Sequence, residues 1–164
     1  MKKSIQNLTR TALVAGLYVV LTLAVPAFSY GPIQFRVSEI LNLLCFYNPF
    51  YIPAIVLGVF ISNLFSLLGP IDLIFGTAHT AISVYFISKS KNIYIASLFP
   101  ALFSFIIGAQ IVIVSPEPIS FFGVTASVML SEFIVVSILG IISFKLLENN
   151  KIFKEGVLDY NPVE

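Results

Sequence analysis

The chain has 164 residues, 58% hydrophobic and only 10% charged, and its nine Lys or Arg, eight Asp or Glu and single His give a formal net charge of +1. A soluble domain carries about 25% charged residues and a nucleic-acid binder a basic patch, so both classes are excluded. Cys45 is the lone cysteine; it permits no internal disulfide and has no metal-ligand companions.

Taken in chain order, the apolar runs predict six membrane spans, at roughly 11–27, 33–47, 50–68, 71–88, 92–114 and 120–147, judged against the ~17–25 residues that a transmembrane helix needs. Helix is the structure they imply, because bilayers admit helices or closed barrels and the runs lack period-2 alternation. Lys2, Lys3 and Arg10 precede the first span. Such a start can mimic a secretory leader, with Ala24-Val25-Pro26-Ala27 as a poor cleavage region. Removal would leave five spans and put the two ends on opposite sides, so the run is read as a span. Along it, Thr11 with Ala15 and Ala12 with Gly16 place small residues at a spacing that lets another helix approach closely.

Ser29-Tyr30-Gly31-Pro32 breaks the first connection. The second span is only about 22 Å long if wholly helical, so it is expected to tilt, lean on its neighbours or stop short of spanning. Asn48-Pro49, Gly69-Pro70, Ser90-Lys91-Asn92 and Ser115-Pro116-Glu117-Pro118 punctuate the later connections. The sixth span outruns the hydrocarbon, and the last ~10 residues read as a loose tail. The reading is one all-α integral membrane domain over residues 1–164.

Charge orients it. Lys2, Lys3, Arg10, Lys89, Lys91, Lys145, Lys151 and Lys154 all fall on one side, which the positive-inside rule makes cytoplasmic together with both termini. Arg36 falls toward the other side, with Glu39, Asp72, Glu117 and Glu132.

Ionisable side chains at the bilayer centre cost at least about 2.5–3.5 kcal/mol each, so they usually face an interior cavity. The candidates come from every span after the first: Arg36 and Glu39, one helical turn apart on the second; Asn63 on the third; Asp72 and His79 on the fourth, on one face with Gly76; Gln110 on the fifth; Glu132 on the sixth. Each has a plainer reading. Arg36 and Glu39 can form an interfacial ion pair, Asp72 can cap the fourth helix, His79 can hydrogen-bond within the bundle, and Glu117 in its Pro-flanked loop reads as solvated. Glu132 is hardest to dismiss, because a carboxylate so far into a span needs a partner. All of these polar groups lie in the outer half, which fits a blind pocket rather than a conduction path. Several carboxylates, one Arg and two amides suit a planar ligand rich in N–H donors, since a carboxylate accepts two parallel bonds from an amidine-like edge. A strongly anionic ligand fits poorly. No P-loop sequence and no catalytic or metal cluster is present, so the chain reads as a non-enzymatic protein without a cofactor, and any pumping must draw energy from another chain.

The run Tyr30-Gly-Pro-Ile-Gln-Phe-Arg-Val-Ser-Glu-Ile40, with Asn63-Leu-Phe-Ser66, Pro70-Ile-Asp-Leu-Ile-Phe-Gly-Thr77 and Ser131-Glu-Phe-Ile-Val135, resembles the QueT family, substrate-binding (S) components of energy-coupling factor (ECF) transporters for queuosine precursors. The resemblance implies a six-helix S-component fold in the cell membrane with both ends cytoplasmic. It implies as partners a transmembrane coupling protein and two ATPase subunits, docked through small residues of the first helix, for which Ala12, Ala15 and Gly16 are the candidates. The implied substrate is a deazaguanine-type base, 7-aminomethyl-7-deazaguanine or queuine, held by Arg36, Glu39, Asn63, Asp72, His79, Gln110 and Glu132. Glu132 or Glu39 would take the guanine-like N–H edge, Arg36, Asn63 or Gln110 the carbonyl, and Asp72 the ammonium. The alternatives are an S component for another vitamin or purine-like base and a proton-coupled carrier, which would need ionisable groups in the inner half.

Overall fold

The structure, a computed structural model, describes residues 2–30, 34–66 and 68–158, and it is helical with no strand among them. The Gly31-Pro32 turn and residues 159–164 of the expected tail lie outside the described residues. Four helices are long and apolar enough to cross a membrane: α1, whose apolar part is Ile5–Ala24, then Pro70–Lys89, Ile93–Val114 and Phe121–Leu147. Two shorter apolar helices, Val37–Tyr47 and Pro49–Asn63, lie between the first two of these. In chain order these shorter ones are α2 and α3, and the three long ones after them α4, α5 and α6.

The expected second and third spans are the ones the structure shortens. Arg36 is extended, and α2 begins as a 3-10 helix, Val37–Leu43, before one α-turn, Leu44–Tyr47. At about 2.0 Å rise per 3-10 residue and about 1.5 Å per α residue it is only ~20 Å long. Its compensation is burial on several sides, for it contacts α1, α4 and α6. The 3-10 winding eclipses residues three apart, and Glu39 with Asn42 both point inward. α3 ends at Asn63, and the chain turns through Gly69, at φ 71, into Pro70 at the start of α4. Glycine tolerates that left-handed angle, and proline at a helix start lacks an N–H that would have no partner.

The long helices carry their own irregularities. Pro100 lies inside α5, and the N–H of Ser104 turns to Ala101 O (3.3 Å). α6 opens into a π-helical stretch, Phe133–Gly140, directly after Glu132. That stretch receives α2: a Cβ at Gly140 would stand 2.9 Å from Leu43 Cδ1. α1 packs mainly along α3, where Gly58 faces Tyr18 and Ala15. Ala15 is therefore an internal contact rather than part of an open face, whereas Ala12 and Gly16 are exposed.

The basic residues gather at one end. Lys145 Nζ donates to Tyr94 OH (2.5 Å), which ties the α6 terminus to the start of α5 just beyond Lys89 and Lys91. The chain folds back here as Lys151–Phe153 and Lys154–Leu158, so that the first residues of the expected tail, 155–158, are helical. Arg10 donates to Gly156 O, Tyr51 OH to Val157 O (2.9 Å), and Phe153 meets Phe144 edge-on at 6.0 Å between ring centres. Leu158 is buried in the main core. Its apolar residues thus find enough surface to offset the ordering of the chain, which a reading of length and charge did not anticipate.

The α1–α3 approach is directly testable. A Cβ at Gly58 would lie 2.8 Å from Tyr18 Cβ and 3.1 Å from Ala15 O, whereas one at Gly16 meets nothing within 4 Å. Gly58→Ala is expected to cost roughly 1–3 kcal/mol through overpacking, seen as a melting temperature lowered by several degrees in detergent, and Gly16→Ala to leave it unchanged.

Candidate functional site

All seven of the ligand candidates, Arg36, Glu39, Asn63, Asp72, His79, Gln110 and Glu132, are buried at 5% exposure or less. They come from five helices and the extended backbone before α2, which converge opposite the basic end. Extended backbone carries Arg36, the 3-10 turn of α2 carries Glu39, and Asn63 is the last residue of α3. Asp72 stands in the first turn of α4 with His79 two turns on; Gln110 comes from α5 and Glu132 from α6.

At the centre of the cluster is an ion pair. Arg36 Nη2 donates to Asp72 Oδ2 at 2.9 Å, with side-chain exposures of 4% and 0%. Gln110 Nε2 donates to Asp72 Oδ1 (2.9 Å), and Asn63 Nδ2 to the main-chain oxygen of Asp72 (3.1 Å). Arg36 Nε donates to Ser29 O (3.0 Å), and the guanidinium carbon lies 5.4 Å from the centre of the Tyr30 ring. So Arg36 pairs with Asp72 and not with Glu39, and Asp72 does not cap α4, a position held by Gly69 without any side-chain bond. Both oxygens of Asp72 already have donors. Gly76 makes the room for this arrangement, because a Cβ there would fall 2.6 Å from Asp72 Oδ1 and 2.7 Å from Asn63 Nδ2.

Glu39 belongs to a second group of bonds. Tyr18 OH and Thr80 Oγ1 (3.3 Å) both donate to its Oε1, and Asn42 Nδ2 donates to its Oε2. Sequence reasoning missed these three donors. Thr80 follows His79 and Asn42 follows Glu39 by one 3-10 turn, so helical spacing carried a signal for both; nothing in α1 marked Tyr18. His79 Nε2 bonds Pro100 O at 3.0 Å, and Ser104 Oγ donates to the same oxygen at 3.2 Å. That carbonyl is free because the Ser104 N–H has gone to Ala101, so His79 joins α4 to the irregular turn of α5.

Glu132 is different. Its Oε2 is buried without a hydrogen-bond partner, within electrostatic reach of Glu39 and Arg36. Gln110 Oε1, Asn63 Oδ1, Asn42 Oδ1 and Gln34 Nε2 are also buried and unpartnered. A buried polar atom left unsatisfied costs about 1–3 kcal/mol, so several on neighbouring elements make a set poised for a polar ligand. Four are acceptors and one is a donor, and the hydroxyls of Ser83 and Thr125, buried and unpartnered as well, can act as either. Gln34 was not among the sequence candidates. It is 3% exposed with φ 50, and its main-chain oxygen accepts from Ser131 Oγ at 3.3 Å. Left-handed backbone at a residue other than glycine is uncommon and clusters at functional sites. Glu117 is exposed in its loop, outside the cluster. Among the described residues no group of three His, Cys, Asp or Glu could hold a metal ion.

The family described as QueT transporter matches residues 8–149 of the chain. A curated relative described as the queuosine precursor transporter QueT, from Lactococcus lactis subsp. cremoris (strain MG1363), is 47% identical over 85 residues. The match spans 50% of this chain and about half the length of that relative. No solved structure matches the chain significantly.

Asp72→Asn would leave a buried guanidinium without its counter-charge, a change that costs roughly 3–5 kcal/mol. It is expected to lower the melting temperature in detergent strongly. Combining it with Arg36→Gln, which buries no charge, is expected to recover part of the loss. A single Asp72→Asn variant melting with the wild type would remove the pair from its structural role.

Proposed function

This chain belongs to the QueT transporter family and is a multi-pass protein of the cell membrane, and we propose that it is the substrate-binding subunit of an ATP-driven ECF importer that takes up a queuosine precursor. The proposed substrate is 7-aminomethyl-7-deazaguanine or queuine, captured in a pocket open to the outside. The observation that carries the reading is Glu132, whose buried Oε2 has no partner although Glu39 and Arg36 lie within electrostatic reach. Because the Arg36 charge is matched by Asp72, Glu39 and Glu132 are two carboxyl groups with no ion-pair partner of their own. A planar base with an N–H edge and a ligand ammonium supplies what is missing.

In this proposal Arg36, Asn63, Asp72, His79 and Gln110 build the frame, and Glu39 and Glu132 face the ligand. Asp72 holds Arg36 rather than the ammonium, since both of its oxygens already accept hydrogen bonds. The six helical segments form one domain, with α2 and α3 completing the bundle between the long helices. The gathering of Arg10, Lys89, Lys91, Lys145, Lys151 and Lys154 supports a cytoplasmic basic end and cytoplasmic termini by the positive-inside rule. The acidic cluster then lies in the outer half.

Transport itself is assigned to partners, a coupling protein and two ATPases that supply the nucleotide site absent from this sequence. The open stripe of Ala12 and Gly16 on α1 suits a close helix contact. Ala15, which faces Gly58 inside the bundle, supports the same contact only from behind.

The test is calorimetric titration of the purified subunit with 7-aminomethyl-7-deazaguanine, queuine and guanine. One of the 7-substituted bases is expected to bind far more tightly than guanine. Glu132→Gln is expected to weaken that binding about 30-fold or more, the lower end of the ~2–5 kcal/mol lost when one partner of a buried charged contact is removed. Near-normal binding by both Glu39→Gln and Glu132→Gln would sink the carboxylate-edge assignment, and no binding of any base by folded protein would sink the substrate class.

A further inference from the structure

The frame around Asp72 engages the donors that would otherwise meet a ligand carbonyl. Asn63 and Gln110 give their amide N–H groups to Asp72, and Arg36 gives Nε to Ser29 and Nη2 to Asp72. Among the described residues, Gln34 Nε2 is the one fully enclosed side-chain nitrogen without an acceptor. Gln34 is fixed close to Glu132 in the chain of contacts, because the Ser131 hydroxyl, one residue before Glu132, donates to its main-chain oxygen.

Backbone preference does not explain glutamine at this position. With φ 50, glycine would be free of the steric penalty that a Cβ meets in the left-handed region. Glutamine there keeps a strained backbone and a buried amide nitrogen with no partner, two unfavourable features. Both make sense if the amide has a partner outside the chain.

We propose that Gln34 is a specificity-determining residue whose amide N–H donates to a ligand carbonyl while Glu132 Oε2 accepts the adjacent ring N–H. The two together read a lactam edge, C=O beside N–H, as found on guanine-type bases and missing from bases that carry a ring C–H there. A site built to hydrogen-bond a polar group rejects the analogue that lacks it, since its own buried polar atoms stay unpaired. This inference rests on the deazaguanine-type reading of the site and goes beyond it by assigning the carbonyl to Gln34, not to Arg36, Asn63 or Gln110.

Gln34→Gly is the informative variant, because it removes the amide while suiting the backbone angle. Two probes are titrated into wild type and variant: 7-aminomethyl-7-deazaguanine and its 6-deoxo analogue, which has the same 7-substituent but no carbonyl. The variant is expected to melt at or above the wild-type temperature. It is expected to bind the oxo base about 10-fold or more weakly and the deoxo analogue, which lacks the ring N–H as well, within 2-fold of wild type, so that the preference for the oxo base falls about 10-fold and what is left belongs to Glu132. If the variant keeps the wild-type preference, or loses both ligands equally, the assignment of Gln34 is overturned while tight binding by the wild type preserves the substrate class. If folded wild type binds neither probe, the substrate class fails and the assignment with it.

Discussion

A guanidinium and a carboxylate with almost no exposure to solvent set the terms for the rest of this bundle. Removing each charge from water costs several kcal/mol even after relaxation, and only close pairing with further hydrogen bonds compensates for it. Arg36 and Asp72 meet that requirement through Gln110, Asn63 and the Ser29 carbonyl. Those bonds join the extended segment before α2 to the starts or ends of α3, α4 and α5. The pair therefore fixes where four pieces of chain stand relative to one another at this end. Gly76 is small because the pair and Asn63 occupy the space its side chain would need.

Irregular backbone is the second theme. In hydrocarbon every backbone polar group must find a partner within the protein, and this chain departs from the α-helix repeatedly. Side chains from neighbouring elements meet the carbonyls involved: His79 at Pro100, Ser137 at Ser97, Ser131 at Gln34, Tyr30 at Ser62 and Ser29 at Thr22. Serines scattered through the apolar helices, with His79 and Tyr30, thus act as local donors to carbonyls of the bent α5, of Gln34 before α2, and of α1 and α3. One of these departures, the 3-10 winding of α2, turns Glu39 and Asn42 inward together.

Burial by itself does not mark a ligand contact. Glu39 has three donors and Asp72 has two, so both are already bonded as part of the fold. The unpartnered atoms, above all Glu132 Oε2 and Gln34 Nε2, are the ones that the proposed function assigns to the ligand, and the satisfied groups hold the frame.

Much was legible from residue order. Apolar runs of sufficient length announce the membrane and the long helices, because burying a backbone in lipid demands helix. Charged and amide residues inside such runs announce an internal cluster, because lipid will not accept them; Arg36, Glu39, Asn63, Asp72, His79, Gln110 and Glu132 are all buried for that reason. Partnership was not legible. Arg36 has Glu39 one turn away but bonds Asp72, which lies 36 positions on, and Tyr18 reaches Glu39 from a helix with no polar signal. Gln34 is also an amide within a predicted span, but what sets it apart is a backbone angle and an unpartnered nitrogen, which the sequence does not show. The folded-back segment ending at Leu158 depends likewise on the surface exposed by Tyr51 and Phe144. Local chemistry decides by itself which residues must leave the lipid. Which of them meet is decided by the packing of distant helices, because a hydrogen bond is satisfied by position in space and not by spacing along the chain.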